Sequence, residues 1–190
     1  MCGGKELKFT PQSISDVILI EQTAHGDDRG YFAETFRQDL FEEVLGYQVN
    51  FIQDNESKSS KGVLRGLHYQ LEPYSQAKLL RVIEGSVLDV VVDIRRSSPT
   101  FAHHVAVELT DKNKHQLFVP HGFAHGFVVL SSSATLVYKV DNYYVPEYDR
   151  GIAFNDSKLG INWKFAVDEL QLSDRDRTHP NLSDAIELFE

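Results

Sequence analysis

The feature that most constrains this chain is a succession of short segments rich in β-branched and aromatic residues, each bounded by turn-forming residues. At least ten segments follow the pattern, at positions 17–21, 31–36, 49–53, 63–71, 78–84, 87–94, 105–109, 116–119, 124–130 and 136–140. Turn signals such as Ser97-Ser98-Pro99 separate them. Short strands at this spacing predict an all-β fold, either an antiparallel barrel or a double-sheet sandwich.

Helical patterns are rare and short. One covers positions 39–45 and ends at Gly46, the residue type that most often terminates a helix, and another covers positions 184–189. We therefore expect helices to be peripheral. No Gly/Ser linker, charge block or internal repeat divides the chain, which predicts one domain over residues 1–190.

The charge balance excludes some classes of function. Lys and Arg number 19 against 28 Asp and Glu, a formal net charge of −9, which argues against a broad surface for a nucleic-acid backbone. No apolar stretch approaches the ~20 residues that cross a bilayer, so no membrane segment is expected. Cys2 is the single cysteine, and the chain start lacks the pattern of a secretory signal. These features predict a cytoplasmic protein without an internal disulfide.

One predicted strand carries a cation and an imidazole among apolar residues, namely Arg65 and His68. Burying such groups costs free energy unless both find partners, which makes the strand a candidate site. Strict alternation would send the two side chains to opposite faces, so their convergence requires a bulge or strong twist at Gly66. The alternative is an exposed arginine and a hydrogen-bonded core histidine.

Two further predicted strands carry candidate charged residues. Lys78 shares one face of its strand with Leu80 and Val82, which taken alone is typical of a half-solvated strand. Asp89 and Asp93 flank an apolar run and either could be an inward carboxylate. Asp93 is more simply a turn initiator, which leaves Asp89 as the candidate.

The segment Pro120-His121-Gly122-Phe123-Ala124-His125 resembles the second cupin signature, in which a turn brings a histidine to a barrel mouth. Metal cupins add a His-x-His pair, because a divalent ion needs three or four converging ligands. The matching positions here are His68-Tyr69-Gln70, and glutamine is a poor ligand for Zn²⁺ or Fe²⁺. We therefore predict no metal and give His125 a hydrogen-bonding role.

Other catalytic motifs are missing from the sequence. It contains no Gly-x-Ser-x-Gly elbow, Walker loop or dinucleotide-binding glycine loop. A histidine, a lysine and a tyrosine such as Tyr138 in one dry pocket instead suit proton transfer at a carbon next to a ketone. The alternative for Tyr138 is an amphipathic strand residue that fills space.

Seven sequence blocks, in order along nearly the whole chain, resemble one known family. They are Asp28-Arg29-Gly30-Tyr31-Phe32-x-Glu34, Gln53-Asp54-Asn55, Gly62-Val63-Leu64-Arg65-Gly66-Leu67-His68-Tyr69-Gln70, Gly122-Phe123-Ala124-His125-Gly126-Phe127, Tyr138-Lys139, Asn142-Tyr143-Tyr144 and Asp149-Arg150-Gly151. On these blocks the chain resembles the dTDP-4-dehydrorhamnose 3,5-epimerases. The resemblance implies an antiparallel double-sheet jelly roll, a cupin-like β-barrel, with a few short peripheral helices.

The resemblance also implies a catalytic set of four residues. His68 would be the base that removes the proton α to the 4-keto group, held by Asp176. Tyr138 would be the acid that returns a proton from the opposite face, since inversion needs two groups on two faces. Lys78 would stabilise the enolate oxygen formed between the two steps. A general acid and a general base each contribute ~10²–10⁴-fold to the rate.

A site for a dTDP-sugar is implied as well. Arg29 and Arg65 would hold the diphosphate, because guanidinium groups match phosphate oxygens. The remaining contacts would come from Glu34, Gln53, Asn55, His125, Asp149 and Arg175. A cluster of Arg29, Arg65, Lys78, Arg81 and Arg175 is enough to attract one diphosphate to a chain of negative net charge. The family implies no cofactor, and a homodimer whose sites are completed across subunits.

The leading hypothesis is metal-free epimerisation at C3 and C5 of dTDP-4-dehydro-6-deoxy-D-glucose, giving dTDP-4-dehydro-L-rhamnose. Three alternatives remain: a relative that inverts C3 alone, a metal-dependent cupin such as a dioxygenase, and a non-catalytic sugar-nucleotide binder. The binder would need the two arginines but not the catalytic set. One departure from the family is His121, which stands where a glutamate is usual and bears on substrate preference more than on reaction type.

Overall fold

The computed structural model describes residues 7–190 and consists mainly of strands. The strands are β1 (Leu7–Pro11), β2 (Ile18–Gln22), β3 (Ala24–Asp27), β4 (Gly30–Ala33), β5 (Gln53–Ser60), β6 (Leu64–Gln70), β7 (Lys78–Glu84), β8 (Ser86–Asp93), β9 (His104–Thr110), β10 (Gln116–Val119), β11 (Phe123–Val129), β12 (Ser133–Val140) and β13 (Asp149–Gly151). Two short helices, α1 (Gln38–Leu45) and α2 (Asp174–Arg177), accompany them, with 3-10 turns at Pro146–Tyr148, Val167–Glu169 and Leu182–Asp184. Within residues 7–190, no helix is long and apolar enough to span a membrane. Cys2 lies outside the described residues.

Two antiparallel sheets face each other. One has six strands in the order β1-β2-β10-β7-β12-β5, and the other has five in the order β13-β6-β11-β8-β9. A separate hairpin of β3 and β4 extends from this body. From β5 to β13 the chain alternates between the two sheets, except at the β8–β9 hairpin, as in a jelly roll. The antiparallel double-sheet fold expected from the sequence is confirmed.

Apolar side chains form three layers around the two sheets. Leu80 and Phe127 belong to the layer between the sheets. The C-terminal segment covers the outer face of the five-stranded sheet with Trp163 and Leu170, and α1 covers the six-stranded sheet with Phe41. Because the five-stranded sheet is covered on both faces, its interior strand β8 is buried at every residue after Ser86.

All but one of the predicted strands are present, and β1, β3 and β13 were not predicted. The strand predicted at 49–53 is wrong, because residues 49–52 form none and β5 begins at Gln53. The helix predicted at 39–45 is confirmed, and Gly46 ends it in the left-handed conformation with a φ of 75°. The helix predicted at 184–189 is wrong. There the chain end runs beside residues 95–96, and Arg96 N donates to Phe189 O at 2.8 Å, so the backbone groups are satisfied by pairing.

The end of β8 is held by a buried carboxylate. Asp93 has no exposed surface and accepts hydrogen bonds from Arg95, Ser98 and Thr100 at 2.6–3.0 Å. Burial alone would raise the pKa of Asp93, but these donors lower it from 3.8 to about 2. Asp93 is therefore a turn residue, as its sequence position indicates, and it is also a buried one.

We expect Asp93→Asn to lower the free energy of unfolding by about 1.5–3 kcal/mol at pH 7, because a hydrogen-bonded buried charge is lost. A carboxyl whose folded pKa is depressed stabilises the protein above its unfolded pKa and stops doing so as pH falls through the folded pKa. The difference between the two proteins should therefore shrink as pH falls from about 4 towards 2. Urea unfolding measures it, with Asp54→Asn as the exposed control. An equal difference at both ends of this range would contradict the prediction.

Candidate active site

A cavity of about 560 Å³ opens between the two sheets. Its walls include seven residues selected from the sequence, namely Arg65, His68, Lys78, His125, Tyr138, Arg175 and Asp176. Leu80, Phe127 and Leu136 make part of the same wall apolar. This volume and this mixture of apolar walls with a few polar groups are typical of small-molecule sites.

A bulge in β6 turns Arg65 and His68 into the same cavity. Leu64 and Leu67 pack outward in the layer under the C-terminal segment, which leaves the residues between and after them facing inward. The pairing of β6 with β11 shifts register at this point. Gly66 has a φ of 137°, and a Cβ there would lie 2.5 Å from the Cα of Gly126. The bulge expected at Gly66 is confirmed, and no larger residue fits there.

His68 is joined to Asp176 across the edge of the five-stranded sheet. The Nε2 atom of His68 lies 2.6 Å from Oδ1 of Asp176, which is 5% exposed. Burial would raise the pKa of Asp176, but the two imidazoles beside it, His68 and His179, outweigh burial and hold the pKa well below its usual range. An ionised carboxylate accepts the Nε2 proton of His68, so the free lone pair of the ring is on Nδ1.

Helix α2 brings Asp176 to this position. Ser173 caps the helix by accepting from Asp176 N at 3.1 Å. Gln171, two residues before this cap, pairs with the chain at the start of β6. Its backbone N donates to Gly62 O at 2.8 Å, and Leu64 N donates to Gln171 O at 2.9 Å. The segment before α2 is thus pinned to the strand that carries His68. Sequence reasoning treated helices as peripheral and did not predict this one.

Tyr138 and Lys78 enter the cavity from the opposite sheet. They lie on the neighbouring strands β12 and β7, on the same inward face as Leu80 and Leu136. Burial raises the pKa of the Tyr138 phenol against the opposing effect of Arg65, so the phenol keeps its proton at neutral pH. Burial lowers the pKa of the half-buried Lys78 ammonium, while Asp149 and Asp89 act in the other direction.

A second imidazole–carboxylate pair lies deeper in the cavity. His125 Nε2 is 2.9 Å and 3.0 Å from the two carboxylate oxygens of Asp89, which has no exposed surface. His125 thus hydrogen-bonds within the protein, and Asp89 is the inward carboxylate that the sequence offered as a candidate. The pair fixes the ring of His125 in the wall of the cavity.

An adjoining cavity of about 420 Å³ shares His68, Lys78 and Tyr138 with the first. Gln53, Asn55 and Asp149, three of the predicted substrate contacts, line it. Asp149 also receives a hydrogen bond from Tyr144 at 2.8 Å and an ion pair from Arg175 at 2.6 Å. The two spaces adjoin at the three shared residues and form one cleft, in which polar groups face apolar walls.

Three residues of the predicted arginine cluster and substrate site lie elsewhere. Arg29 is on the β3–β4 hairpin, has 89% of its side chain exposed and pairs with Asp27, so the structure does not bring it to Arg65 within one chain. Glu34 follows that hairpin and is outside the residues that line the two cavities. Arg81 faces the outside of the six-stranded sheet, because it alternates with the inward Leu80.

His179 is a neighbour of the site that the sequence analysis missed. Its Nε2 atom is buried, has no hydrogen-bond partner among the described residues and lies 3.7 Å from Oδ1 of Asp176, an ion-pair distance. One ligand atom each from His68, Asp176 and His179 lie within 4.8 Å of one another. Gln70, by contrast, uses its side-chain amide on backbone groups of Tyr74, Tyr143 and Val145 and is not free to bind a metal.

His121, the residue that departs from the family pattern, makes contacts of its own outside the cavity lining. Its ring joins Ser75 Oγ at 2.6 Å to Asp141 Oδ2 at 2.7 Å. Asp141 also accepts a hydrogen bond from the backbone N of Ala77, next to Lys78. Hydrogen bonding to Asp141 raises the pKa of His121. The substitution therefore braces the start of β7 and adds nothing to the cavity walls.

The arrangement suits one kind of chemistry. A carboxylate-held imidazole stands on one wall, and a protonated phenol with an ammonium stands on the facing sheet. Such groups can remove a proton from one face of a carbon, stabilise the negative oxygen that results and return a proton to the other face. Arginines at the rim complement an anionic substrate.

Known proteins match this chain over almost its whole length. A family model described as dTDP-4-dehydrorhamnose 3,5-epimerase matches residues 11–184. A dTDP-4-dehydrorhamnose 3,5-epimerase of Shigella flexneri is 53% identical over 172 residues, which are 90% of this chain and 94% of the relative. Another, from Pseudomonas aeruginosa, is 49% identical over 94% of this chain and 98% of its own length.

Solved structures agree. The dTDP-6-deoxy-D-glucose-3,5-epimerase of Legionella pneumophila, solved in complex with dTDP-4-keto-L-rhamnose, is 44% identical, with a TM-score of 0.90 over 94% of each chain. A 3′-monoepimerase from Streptomyces bikiniensis, in complex with dTDP-quinovose, is 36% identical, with a TM-score of 0.85 over 91% of this chain and 87% of its own. The sequence matches and these folds point to the same group, and the chain belongs to the dTDP-4-dehydrorhamnose 3,5-epimerase family.

Proposed function

We propose that this protein inverts C3 and C5 of dTDP-4-dehydro-6-deoxy-D-glucose to give dTDP-4-dehydro-L-rhamnose, by proton transfer without a metal or organic cofactor. His68 removes the proton next to the 4-keto group, and Asp176 holds the imidazole in the tautomer with its lone pair on Nδ1. Lys78 stabilises the enolate oxygen. Tyr138 delivers a proton to the opposite face of the carbon.

The observation that carries the proposal is the placement of base and acid on different sheets. His68 lines the cavity from the five-stranded sheet and Tyr138 from the six-stranded sheet. A single group that removed a proton and returned it would restore the starting configuration, so inversion requires two groups that reach the substrate from two sides. A non-catalytic binder would have no use for this arrangement.

The substrate-binding roles follow from the charges in the cleft. Arg65, which donates to Ser59 at 3.1 Å, is proposed to bind the diphosphate. Arg175 and Asp149, joined to each other, and the amides of Gln53 and Asn55 are proposed to bind the nucleotide and sugar hydroxyls. His125 contributes a hydrogen bond to the sugar.

The direct test is proton NMR of the purified protein with dTDP-4-dehydro-6-deoxy-D-glucose in D₂O that contains a chelator. We expect the signals at C3 and C5 to disappear as deuterium enters, with an L-configured product and no effect of the chelator. Inversion at C3 alone would assign the protein to the monoepimerase reaction. Binding without exchange, or exchange only after metal is added, would overturn the proposal.

Lys78→Gln is expected to lower kcat by about 10²–10³-fold, the usual effect of removing one donor to a developing oxyanion. The pKa of Lys78 is lowered by burial, so the wild-type rate should also fall on the alkaline side at a lower pH than an ordinary lysine would give. Lys139→Gln is the matched control, because Lys139 neighbours Tyr138 but points outward to Asp54. Equal rates in the two variants would contradict the role of Lys78.

We further propose a homodimer in which the β3–β4 hairpin of one subunit completes the site of the other. Exposed aromatic residues on the hairpin support this, because Tyr31 is 62% and Phe32 69% exposed, next to the exposed Arg29. In a dimer of this kind Arg29, and Glu34 after it, would reach a dTDP-sugar held by the partner.

Arg29→Gln is expected to raise KM by about 10–100-fold, as the loss of a charge-assisted hydrogen bond does. A mixing experiment separates the two placements of Arg29. If the residue acts across subunits, mixing Arg29→Gln with His68→Asn protein yields heterodimers with one intact site, and activity at low substrate recovers. No recovery after confirmed subunit exchange, or a monomer in sedimentation, would overturn the proposal. Lys112→Gln serves as the exposed-charge control.

The proposed location is the cytoplasm, and the proposed partners are the dTDP-sugar and a second copy of the chain. One cysteine in 190 residues leaves no internal disulfide that would need an oxidising compartment. The net charge of −9 argues against nucleic acid as a partner.

A further inference from the structure

We propose that His68, Asp176 and His179 form an inhibitory zinc site, in which Zn²⁺ switches off the base of the reaction; this inference rests on the proposed function of His68. Two imidazoles and one carboxylate are ligands that Zn²⁺ prefers. Of these three, only His68 matches a cupin metal position. The other cupin positions are engaged, because Gln70 binds backbone groups and His125 is bound to Asp89.

The first support is the buried Nε2 atom of His179, which lacks a hydrogen bond. Its side chain is 10% exposed, and Nε2 makes no hydrogen bond among the described residues although it is buried. The neighbouring Asp176 Oδ1, at 3.7 Å, is near enough to attract a charged ring but too far for a hydrogen bond. A buried polar atom without a hydrogen bond costs free energy and calls for an explanation. Gly151 lies against the same ring, so close that a Cβ would meet Nε2 at 2.4 Å, and this backbone contact holds the ring in place.

Geometry is the second support. Zn–N bonds of about 2.0–2.1 Å place tetrahedral ligand atoms roughly 3.3 Å apart. Asp176 Oδ1 is 2.6 Å from His68 Nε2 and 3.7 Å from His179 Nε2, so the two separations fall on either side of that value. The three ligand atoms all lie within 4.8 Å of one another, so modest shifts of the side chains would bring them to a common bonding distance, with water as the fourth ligand.

The proposed zinc ligands line two cavities of the protein. His68 and Asp176 line the cavity of about 560 Å³ between the sheets, and His179 lines a separate cavity of about 440 Å³ beside β13. Arg175 lines both spaces, so the two cavities adjoin beside α2. An ion that enters either cavity therefore comes close to the ligands, and it loses its hydration water as the buried Nε2 of His179 binds.

Zinc would inhibit the reaction by changing which nitrogen of the His68 ring carries the proton. In the free protein the proton of neutral His68 is on Nε2, where Asp176 accepts it, and Nδ1 has the lone pair. A metal bound to Nε2 takes the lone pair of that nitrogen, so the single ring proton moves to Nδ1, with no net gain or loss of protons. The nitrogen that should accept the substrate proton then already carries one, and the base is inactive.

Two measurements on the intact protein test the site. The first follows the epimerisation rate as ZnCl₂ is added, each rate being divided by the rate of the same protein in chelator. The second follows the visible absorption of added CoCl₂, which reports the geometry of a bound ion and does not depend on turnover. We compare wild type with His179→Gln and His179→Asn, and use His121→Asn as the control because it removes another carboxylate-paired histidine.

We expect Zn²⁺ to inhibit the wild type and the control reversibly, and Co²⁺ to give the bands of a four- or five-coordinate ion. Both His179 variants should need at least about 10–100-fold more metal for either effect, since even outer partners of metal ligands have effects of this size. Unchanged metal sensitivity of both His179 variants, or no Co²⁺ bands with wild type, would overturn the zinc site. If epimerisation itself were missing, the Co²⁺ titration would still decide the question.

Discussion

His68→Asn should abolish turnover almost completely, with kcat reduced by about 10²–10⁴-fold or more, because asparagine has no lone pair basic enough to take a proton from carbon. Deuterium should enter neither C3 nor C5 in D₂O. Affinity for dTDP should change little, since the nucleotide contacts proposed above lie on other residues. Kinetics, NMR and calorimetry measure the three quantities on the same protein.

Asp176→Asn tests the same assignment of the base through the carboxylate that holds His68. An amide in place of the carboxylate can donate to Nε2, which favours the tautomer with the proton on Nδ1 and leaves His68 present but inactive. We expect a similarly large fall in kcat in a protein that still binds dTDP. His121→Asn is the matched control, because it breaks an imidazole–carboxylate pair of like geometry outside the cavity. Full activity of His68→Asn, or loss of activity in the control, would contradict the assignment of the base.

Tyr138→Phe should separate proton removal from inversion. The base is intact, so deuterium should still enter the substrate, but His68 returns it to the face from which the proton came. We therefore expect inversion to fall by about 10²–10⁴-fold while exchange with retained configuration continues. Time-resolved NMR in D₂O measures both rates in one sample, and the ratio of exchange to inversion is the decisive quantity.

The control is Tyr143→Phe, which removes the hydroxyl of a tyrosine that is 60% exposed and lies outside the lining of both cavities. It should leave both rates unchanged. A Tyr138→Phe protein that inverts as fast as wild type would exclude the phenol as the acid. One that binds dTDP but exchanges nothing would show that Tyr138 acts in the first step.

Periodicity and turn residues were enough to predict the two-sheet architecture, because strands that pack against an apolar layer must alternate or be continuously apolar. The one strand misplaced, β5, has polar residues on both faces. Its inward residues Gln53, Asn55 and Ser57 line the cavities, so a functional requirement removed the pattern by which strands are recognised. The strand was therefore missed for the same reason that it lines the candidate active site: its inward residues are polar.

The catalytic candidates could be predicted only in part. Lys78 and Tyr138 follow from strand alternation once the inward face is known, and the bulge at Gly66 was expected from the charge pattern around it. The link from His68 to Asp176 came from family resemblance alone, since no local pattern pairs residues 108 positions apart. His179 was not predicted, because a histidine in a polar turn looks exposed. A search for histidines three residues after a predicted site carboxylate would have found it.

The order of the chain puts part of the proposed site in its last segment. Both sheets are complete at Gly151, yet residues 171–173 and α2 add a wall of the cavity and supply Asp176, the carboxylate beside His68. A chain that ended before Asp174 would keep His68 and lose the carboxylate that holds its ring. On the roles proposed above, a ribosome that stalls or a protease that trims the chain there would release a protein without an oriented base, so turnover would belong only to chains translated through α2.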